Sequence, residues 1–228
     1  MILILGGTTE GRLAVKVADE AGSPYYYSTR GIQQEIACRN GIHLTGGMDV
    51  EAMTSFCIHH QIRLLVDAAH PFAVGLHQTV HETAIRLNLP VVRVERSYPE
   101  RATDIVWCED YEDAVCKLEK DRIHSLLSLT GVQTIGKLRG YWAKHPCWFR
   151  ILKRDESLAL ARSQGFDEQR IVYYQAEDEE SLLKRLTPQA ILTKESGETG
   201  GFQQKIDAAR MLGIPVYVVK RPSLPDSF

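Results

Sequence analysis

The chain has 228 residues, of which 44% are apolar and 25% charged, with 17 glycines and 9 prolines; this ordinary globular usage excludes disordered, collagen-like and coiled-coil classes. Lysine and arginine number 27 against 29 aspartates and glutamates, a net charge of −2, so no overall basic field draws the chain to nucleic acid, and an anionic ligand must be met by a local cluster. The five cysteines contain no CxxC pair, which excludes a locally built zinc ribbon or thioredoxin couple and favours free thiols in a reducing cytosol.

The apolar run 2–5 is stopped at once by Gly6 and Gly7 with no basic start, so no signal peptide is expected, and no run reaches membrane-spanning length. A soluble cytoplasmic protein is the expectation. After the glycines, Leu13, Val17 and Ala21 recur at helical spacing, which predicts strand, turn, helix. Strands follow at 25–28, 42–45, 64–68 and 91–94, with helices at 50–60 and 74–87. The charged stretch 95–103, interrupted by Pro99, breaks the periodicity and marks a linker. Beyond it, strands are predicted at 105–108, 126–130, 147–152, 171–174, 190–193 and 216–219, with helices near 111–120, 158–164, 179–186 and 202–212. Such alternation predicts an α/β protein with parallel sheets, because parallel neighbours need crossover connections. Two Rossmann-like domains, 1–95 and 96–228, are expected, with the cleft between them as the default ligand site.

Three clusters carry chemistry. The first is Gly6-Gly7-Thr8-Thr9-Glu10-Gly11-Arg12, directly after the first strand, where a dinucleotide fingerprint belongs. Thr8 replaces its middle glycine. Free N–H groups at the helix start and the positive dipole end suit a phosphate, Thr8 and Thr9 add hydroxyls, and Arg12 adds a charge. A P-loop is excluded, since Arg12 and Leu13 stand where Lys and Ser or Thr are required. At the end of the second strand, Ser28-Thr29-Arg30 replaces the acidic residue that would hold the NAD ribose; a guanidinium there suits the 2′-phosphate of NADP(H).

The second cluster is Asp67-Ala68-Ala69-His70-Pro71, expected to face the glycine turn across the order reversal of the sheet, with Pro71 starting the next helix and His70 exposed at its N-cap. The alternative for Asp67 is a purely structural cap. His77 and His81 lie four apart, but no third ligand completes a metal set, and surface or partly buried histidines are expected instead. The third cluster is Lys194-Glu195-Ser196-Gly197-Glu198-Thr199-Gly200-Gly201, followed by Lys205. Its lysines can meet an anion and its glycines allow close backbone approach. Finally, residues 123–154 contain six positive charges and no Asp or Glu. Lys137 and Arg139 lie among Tyr141, Trp142, Trp148 and Phe149, a composition suited to a large flat polyanion, or to a solvated basic face over core aromatics.

In this order, ILILGGTTEGR, VDAAHPFA and TKESGETGG, with Lys205, Gly213-Ile214-Pro215-Val216 and Arg221-Pro222, resemble the precorrin-6A reductase family of corrin biosynthesis over nearly the full length. Ala69 departs from the hydroxyl residue expected in many relatives. The resemblance implies reduction by NADPH of a macrocycle double bond in precorrin-6A, or its cobalt-containing counterpart, to the precorrin-6B level. It implies a tetrapyrrole partner bearing many carboxylates and needs no metal ligand on the protein; charge and hydropathy give no nucleic-acid or membrane partner, and unpaired strand edges allow a monomer or homodimer. Gly6 to Arg12, Thr29, Arg30, Asp67, Ala68 and His70 are then expected to hold the cofactor. Lys194, Glu195, Ser196, Gly197, Gly200, Gly201, Lys205, Lys137 and Arg139 are expected to line the substrate cleft. His70, then Lys194, are the candidate proton donors. The alternatives are another NADP-dependent reductase, although no Tyr-x-x-x-Lys pair of the short-chain type occurs, and a non-catalytic nucleotide-binding module.

Overall fold

A computed structural model describes residues 1–31, 36–174 and 176–225. The chain forms two compact units, one of Met1–Arg96 joined by the segment from Pro222, the other Ser97–Arg221.

The first unit runs β1 (Ile2–Leu5), α1 (Thr9–Glu20), β2 (Tyr25–Thr29), β3 (Gly41–Thr45), α2 (Val50–His59), β4 (Leu64–Asp67), α3 (Val74–Leu87) and β5 (Val91–Arg93). Its five strands are all parallel in the order β3-β2-β1-β4-β5. The chain steps outward from β1 to β3, then returns to β4 beside β1, so β1 and β4 flank the point where strand order reverses. A central parallel strand is covered on both faces, and β1 divides accordingly. Leu3 and Leu5 pack with Met53, Cys57, Leu65, Val80 and Ala84, while Ile4 packs with Val15, Tyr25, Tyr27 and Val66. α2 and α3 therefore cover one face and α1 the other.

The second unit runs β6 (Val106–Cys108), α4 (Tyr111–Lys120), β7 (Leu126–Ser128), α5 (Arg139–Trp142), β8 (Cys147–Ile151), α6 (Asp155–Ser163), β9 (Ile171–Tyr173), α7 (Glu179–Leu186), β10 (Ala190–Lys194), α8 (Phe202–Met211) and β11 (Val216–Val219). Its six parallel strands have the order β6-β11-β10-β7-β8-β9, which places the reversal between β7 and β10. Leu127, Ile191, Val216 and Val218 meet Leu182, Leu183, Phe202 and Ile206 of α7 and α8 in one core. Asp49, Asp110 and Asp178 cap α2, α4 and α7, each accepting from a backbone N–H of the first turn.

Three expectations need correction. α6 begins at Asp155, three residues earlier than predicted, because Asp155 and Glu156 complement the positive end of the helix. Between β7 and β8, 3₁₀ turns at Val132–Thr134 and Gly136–Leu138 precede α5, where no element is expected from the periodicity. The basic aromatic stretch does not form one open face. Tyr141 and Phe149 are fully buried, and Arg150 is 1% exposed, bonded to Glu179 at 2.9 Å and to the carbonyls of Tyr174 and Glu177. Coverage of both faces of β8 explains this, since it buries neighbouring side chains alike, and a buried arginine must be paired.

Candidate functional site

In the first unit the carboxyl ends of β1, β2 and β4 lie side by side, with Leu5 in register with both Ser28 and Asp67. The glycine turn, the Ser28-Thr29-Arg30 turn and the Asp67–His70 loop are therefore brought to one edge. Thr8 caps α1, its Oγ1 accepting from Gly11 N–H at 3.0 Å and donating to the Ala68 carbonyl at 2.6 Å. The residue in place of the middle glycine thus ties the first cluster to the second. Gly6 and Gly11 are demanded by Tyr27: a methyl group at Gly6 would lie 2.2 Å from Tyr27 Cε2, and one at Gly11 3.0 Å from the Tyr27 hydroxyl oxygen. That oxygen accepts the Gly7 N–H at 3.0 Å. Gly7 itself has φ +93° and open space where a side chain would stand, and Thr9 N–H, in the first turn, has no intrahelical acceptor.

Several predicted ligands turn inward. Glu10 is buried and paired with Arg96 at 2.6 Å. Thr29 is buried, its Oγ1 bonded to the Gly31 carbonyl and to His43 Nε2 at 2.7 Å. Arg12 and Arg30 are exposed, Arg12 donating to Thr9 Oγ1 at 3.0 Å.

Asp67 is wholly buried and makes the pairing that the sequence leaves hidden. Its Oδ1 accepts from Arg93 at 2.7 Å and from Ala69 N–H at 3.0 Å, while Oδ2 meets His77 Nδ1 at 2.6 Å. Burial pushes the Asp67 carboxyl up, but the His77 bond and the His77 and Arg93 charges prevail and hold it below the usual carboxylate range. Arg93 also donates to the carbonyls of Asp67 and Ala69, and His77 Nε2 lies 3.1 Å from the His70 carbonyl. Asp67, His77 and Arg93 together hold the 67–70 loop. His77 is a core residue, 2% exposed, and the shared face of His77, Val80 and Ala84 on α3 is the periodic signal that marks it. The helix starts at Val74, after a turn through Pro71, so His70 is a loop residue and not its N-cap. His70 is half-buried, and its Nδ1 accepts from Phe72 N–H at 3.2 Å.

In the second unit the third cluster follows β10. Lys194 is half-buried; burial and the charges of Lys205 and Lys137 push its ammonium down to about 8. Burial likewise lowers Lys205, which donates to the Gly200 carbonyl at 3.0 Å and so fastens the glycine loop to α8. Ser196 Oγ donates to the same carbonyl at 3.3 Å, and Gly197 and Gly201 have φ of +69° and +65°. Glu195 is 2% exposed and bonded to Arg101 and Arg221 at 2.9–3.1 Å. Burial works against the Glu195 carboxylate, yet Arg101 and Arg221 keep it below its ordinary range. This carboxylate joins the first and last segments of the unit, a structural duty that removes it from the open surface. Lys137 lies over the Tyr111 ring at 5.2 Å; Arg139 is turned to the Gln164 carbonyl and the Trp142 ring. Lys205 and Lys137 thus act on Lys194 as positive charges, while Arg139 is engaged with the Gln164 carbonyl and the Trp142 ring.

All five cysteines are free thiols. Among the described residues, no His, Cys, Asp and Glu side chains gather as a metal-ligand set and no helix is long and apolar enough to cross a membrane.

A family model described as Precorrin-6x reductase CbiJ/CobK matches residues 1–228. The chain is 30% identical over 239 residues to the precorrin-6A reductase of Rhodococcus erythropolis, covering 98% of this chain and 90% of that one. It is 26% identical over 235 residues to the cobalt-precorrin-6A reductase of Methanothermobacter thermautotrophicus, covering 98% and 77%. The solved structure of a CobK precorrin-6A reductase superposes with a TM-score of 0.79 at 22% identity, over 98% of this chain and 89% of that chain, so the two-sheet fold is shared. The chain belongs to the precorrin-6x reductase CbiJ/CobK family, the oxidoreductases that act on precorrin-6A or cobalt-precorrin-6A in cobalamin biosynthesis.

Proposed function

We propose that this reductase draws its electrons from NADPH, bound at the carboxyl edge of the first sheet. NADPH, when bound, supplies the hydride for the macrocycle double bond. The observation that carries the reading is the reversal point between β1 and β4, with open space over Gly7 and the first turn of α1 beside it. Gly7 and the α1 N-terminus would receive the phosphates, and Arg12 would add charge. Arg30, exposed at the end of β2, would hold the 2′-phosphate. Thr8, Ala68 and the Asp67-His77-Arg93 network would act indirectly by keeping the two loops in place. His70, as the imidazolium, is the first candidate to deliver the proton that follows the hydride, and Lys194 the second. Free thiols support action in the cytoplasm, as a monomer or homodimer.

The test is a fluorescence titration with NADPH and NADH. Arg30→Asp is expected to weaken NADPH about tenfold or more, in keeping with loss of a charge-assisted bond, and to leave NADH nearly unchanged. Equal loss for both cofactors refutes the 2′-phosphate assignment; no binding of either refutes the cofactor reading.

A further inference from the structure

His77 packs against the loop that carries His70, and the chemistry of its two ring partners fixes more than the position of the ring. The four consecutive carbonyls from Asp67 to His70 each accept a hydrogen bond. Arg93 donates to those of Asp67 and Ala69 at 3.1 Å, and Thr8 Oγ1 to that of Ala68 at 2.6 Å. The His70 carbonyl accepts from Ala73 N–H at 2.8 Å and lies 3.1 Å from His77 Nε2. A carbonyl oxygen can only accept, so His77 Nε2 carries a proton. The other ring nitrogen, Nδ1, lies 2.6 Å from Asp67 Oδ2. Asp67 Oδ1 already accepts from Arg93 at 2.7 Å and from Ala69 N–H at 3.0 Å. A guanidinium that close keeps the carboxylate ionised, so Oδ2 is an acceptor as well. Both nitrogens of His77 therefore face acceptors.

We propose that His77 is a buried imidazolium that positions His70 for the reduction, its Nδ1–H anchored on the Asp67 carboxylate and its Nε2–H holding the His70 main chain. A neutral imidazole has one proton for these two acceptors, and the contact without it would set a nitrogen lone pair against an oxygen. Burial makes that mismatch costly, since His77 is 2% exposed and Asp67 wholly enclosed. A charged ring is tolerated there because its counter-ion is in direct contact. The charged groups around the ring come from two strands: Asp67 from β4 and Arg93 from β5, with Glu95 3.6 Å beyond the Arg93 Nε. α2 meets α3 with Met53 and Cys57, and burial pushes the Cys57 thiol up to about 11, so it stays neutral. The His70 carbonyl, held from α3 and closed on Ala73, fixes where the His70 side chain leaves the main chain. His77 thus acts through His70, and the kinetic part of the inference rests on the assignment of proton delivery to His70.

The charge is read by nitrogen-15 NMR of the histidine-labelled full chain at pH 7, with the His77 signals identified by their loss in His77→Asn or His77→Gln, whichever folds. Both ring nitrogens should resonate as protonated, and one bare nitrogen overturns the proposal. Kinetics reads the positioning. Asn keeps a donor near the Nδ1 position and Gln one near Nε2. With NADPH saturating, His77→Asn should therefore lower kcat about tenfold or more, in keeping with the cost of misplacing a catalytic group, while KM for precorrin-6A, or for its cobalt form, stays within about twofold. His77→Gln should restore much of kcat. An unchanged kcat in His77→Asn overturns the positioning, and so does equal loss in both variants, which assigns the effect to the Asp67 bond alone. Normal turnover in His70→Ala refutes His70 as the proton donor and the positioning with it, while the nitrogen spectra still decide the charge of His77.

Discussion

Replacing Asp67 with Asn keeps the volume of the side chain and removes its charge, which makes it a sharp probe of the loop that carries His70. In the folded chain Asp67 is wholly buried and Arg93 is 8% exposed; the guanidinium bonds Oδ1 at 2.7 Å and His77 bonds Oδ2 at 2.6 Å. The substitution leaves Arg93 desolvated without its counter-charge. Breaking a buried pair from one side costs about 3–5 kcal/mol, because the surviving charge has lost water and gained nothing. With a urea m-value of about 1–3 kcal/mol/M, the midpoint of the unfolding transition should fall by about 1 M or more. Circular dichroism against urea, at pH 7, reads this directly. Acid provides an independent reading. Because the folded Asp67 carboxyl lies below its ordinary value, its contribution is full above the unfolded pKa of about 4 and is lost as the pH falls through the lower folded value. Asp67→Asn should erase that part of the acid sensitivity. A stability loss under about 1 kcal/mol, or an unaltered acid limb, refutes the view that this network holds the loop.

Two further perturbations separate packing from charge. Gly6→Ala should cost about 1–3 kcal/mol through overpacking against Tyr27 and should be relieved in a double-mutant cycle by Tyr27→Ala, whereas Gly7→Ala, strained by its φ of +93°, should gain nothing from that second change; additivity in the first pair refutes the contact. For Lys194, pushed down to about 8 by burial and by Lys205 and Lys137, the ammonium is charged below that pH and neutral above it, so kcat/KM should fall as pH rises through about 8 in the free enzyme. Lys194→Arg, charged throughout, should move that limb upward, and an identical profile in the variant assigns the limb to another group.

The alternation of strands and helices was readable because each parallel strand announces itself as a short apolar run bounded by turns. The edge positions of Gly6, Thr8, Asp67 and Lys194 followed from that alone. What escaped was pairing at long range. Glu10 finds Arg96 and Asp67 finds Arg93 only when crossovers have laid distant segments together, and no spacing rule links residues 86 or 26 apart. His77 is nearer to hand, since its periodic face with Val80 and Ala84 points inward, but its four-residue spacing to His81 mimics a metal pair and masks that face. Residues 123–154 misled for the opposite reason. Composition counts charges without direction: β8 is covered on both faces, so the neighbouring Phe149 and Arg150 are both buried, while Lys137, in the turn before α5, stays outside.

On the proposed reading, the β1–β4 reversal point lets a nearly neutral chain receive the phosphates of NADPH. At the β1–β4 edge the donors are backbone N–H groups of a glycine turn and a helix start, with guanidiniums only at the rim; such fixed partial charges recognise a diphosphate by shape and add nothing to the net charge. Carboxylates such as Glu10, Asp67 and Glu195 are each paired with arginine inside the fold, so these pairs cancel. The sum of −2 therefore says little about the rim, where Arg12 and Arg30 are exposed. Salt should screen the exposed guanidiniums of Arg12 and Arg30 more strongly than the hydrogen-bonded glycine turn, so NADPH binding should be more salt-sensitive than NADH binding, which lacks the 2′-phosphate.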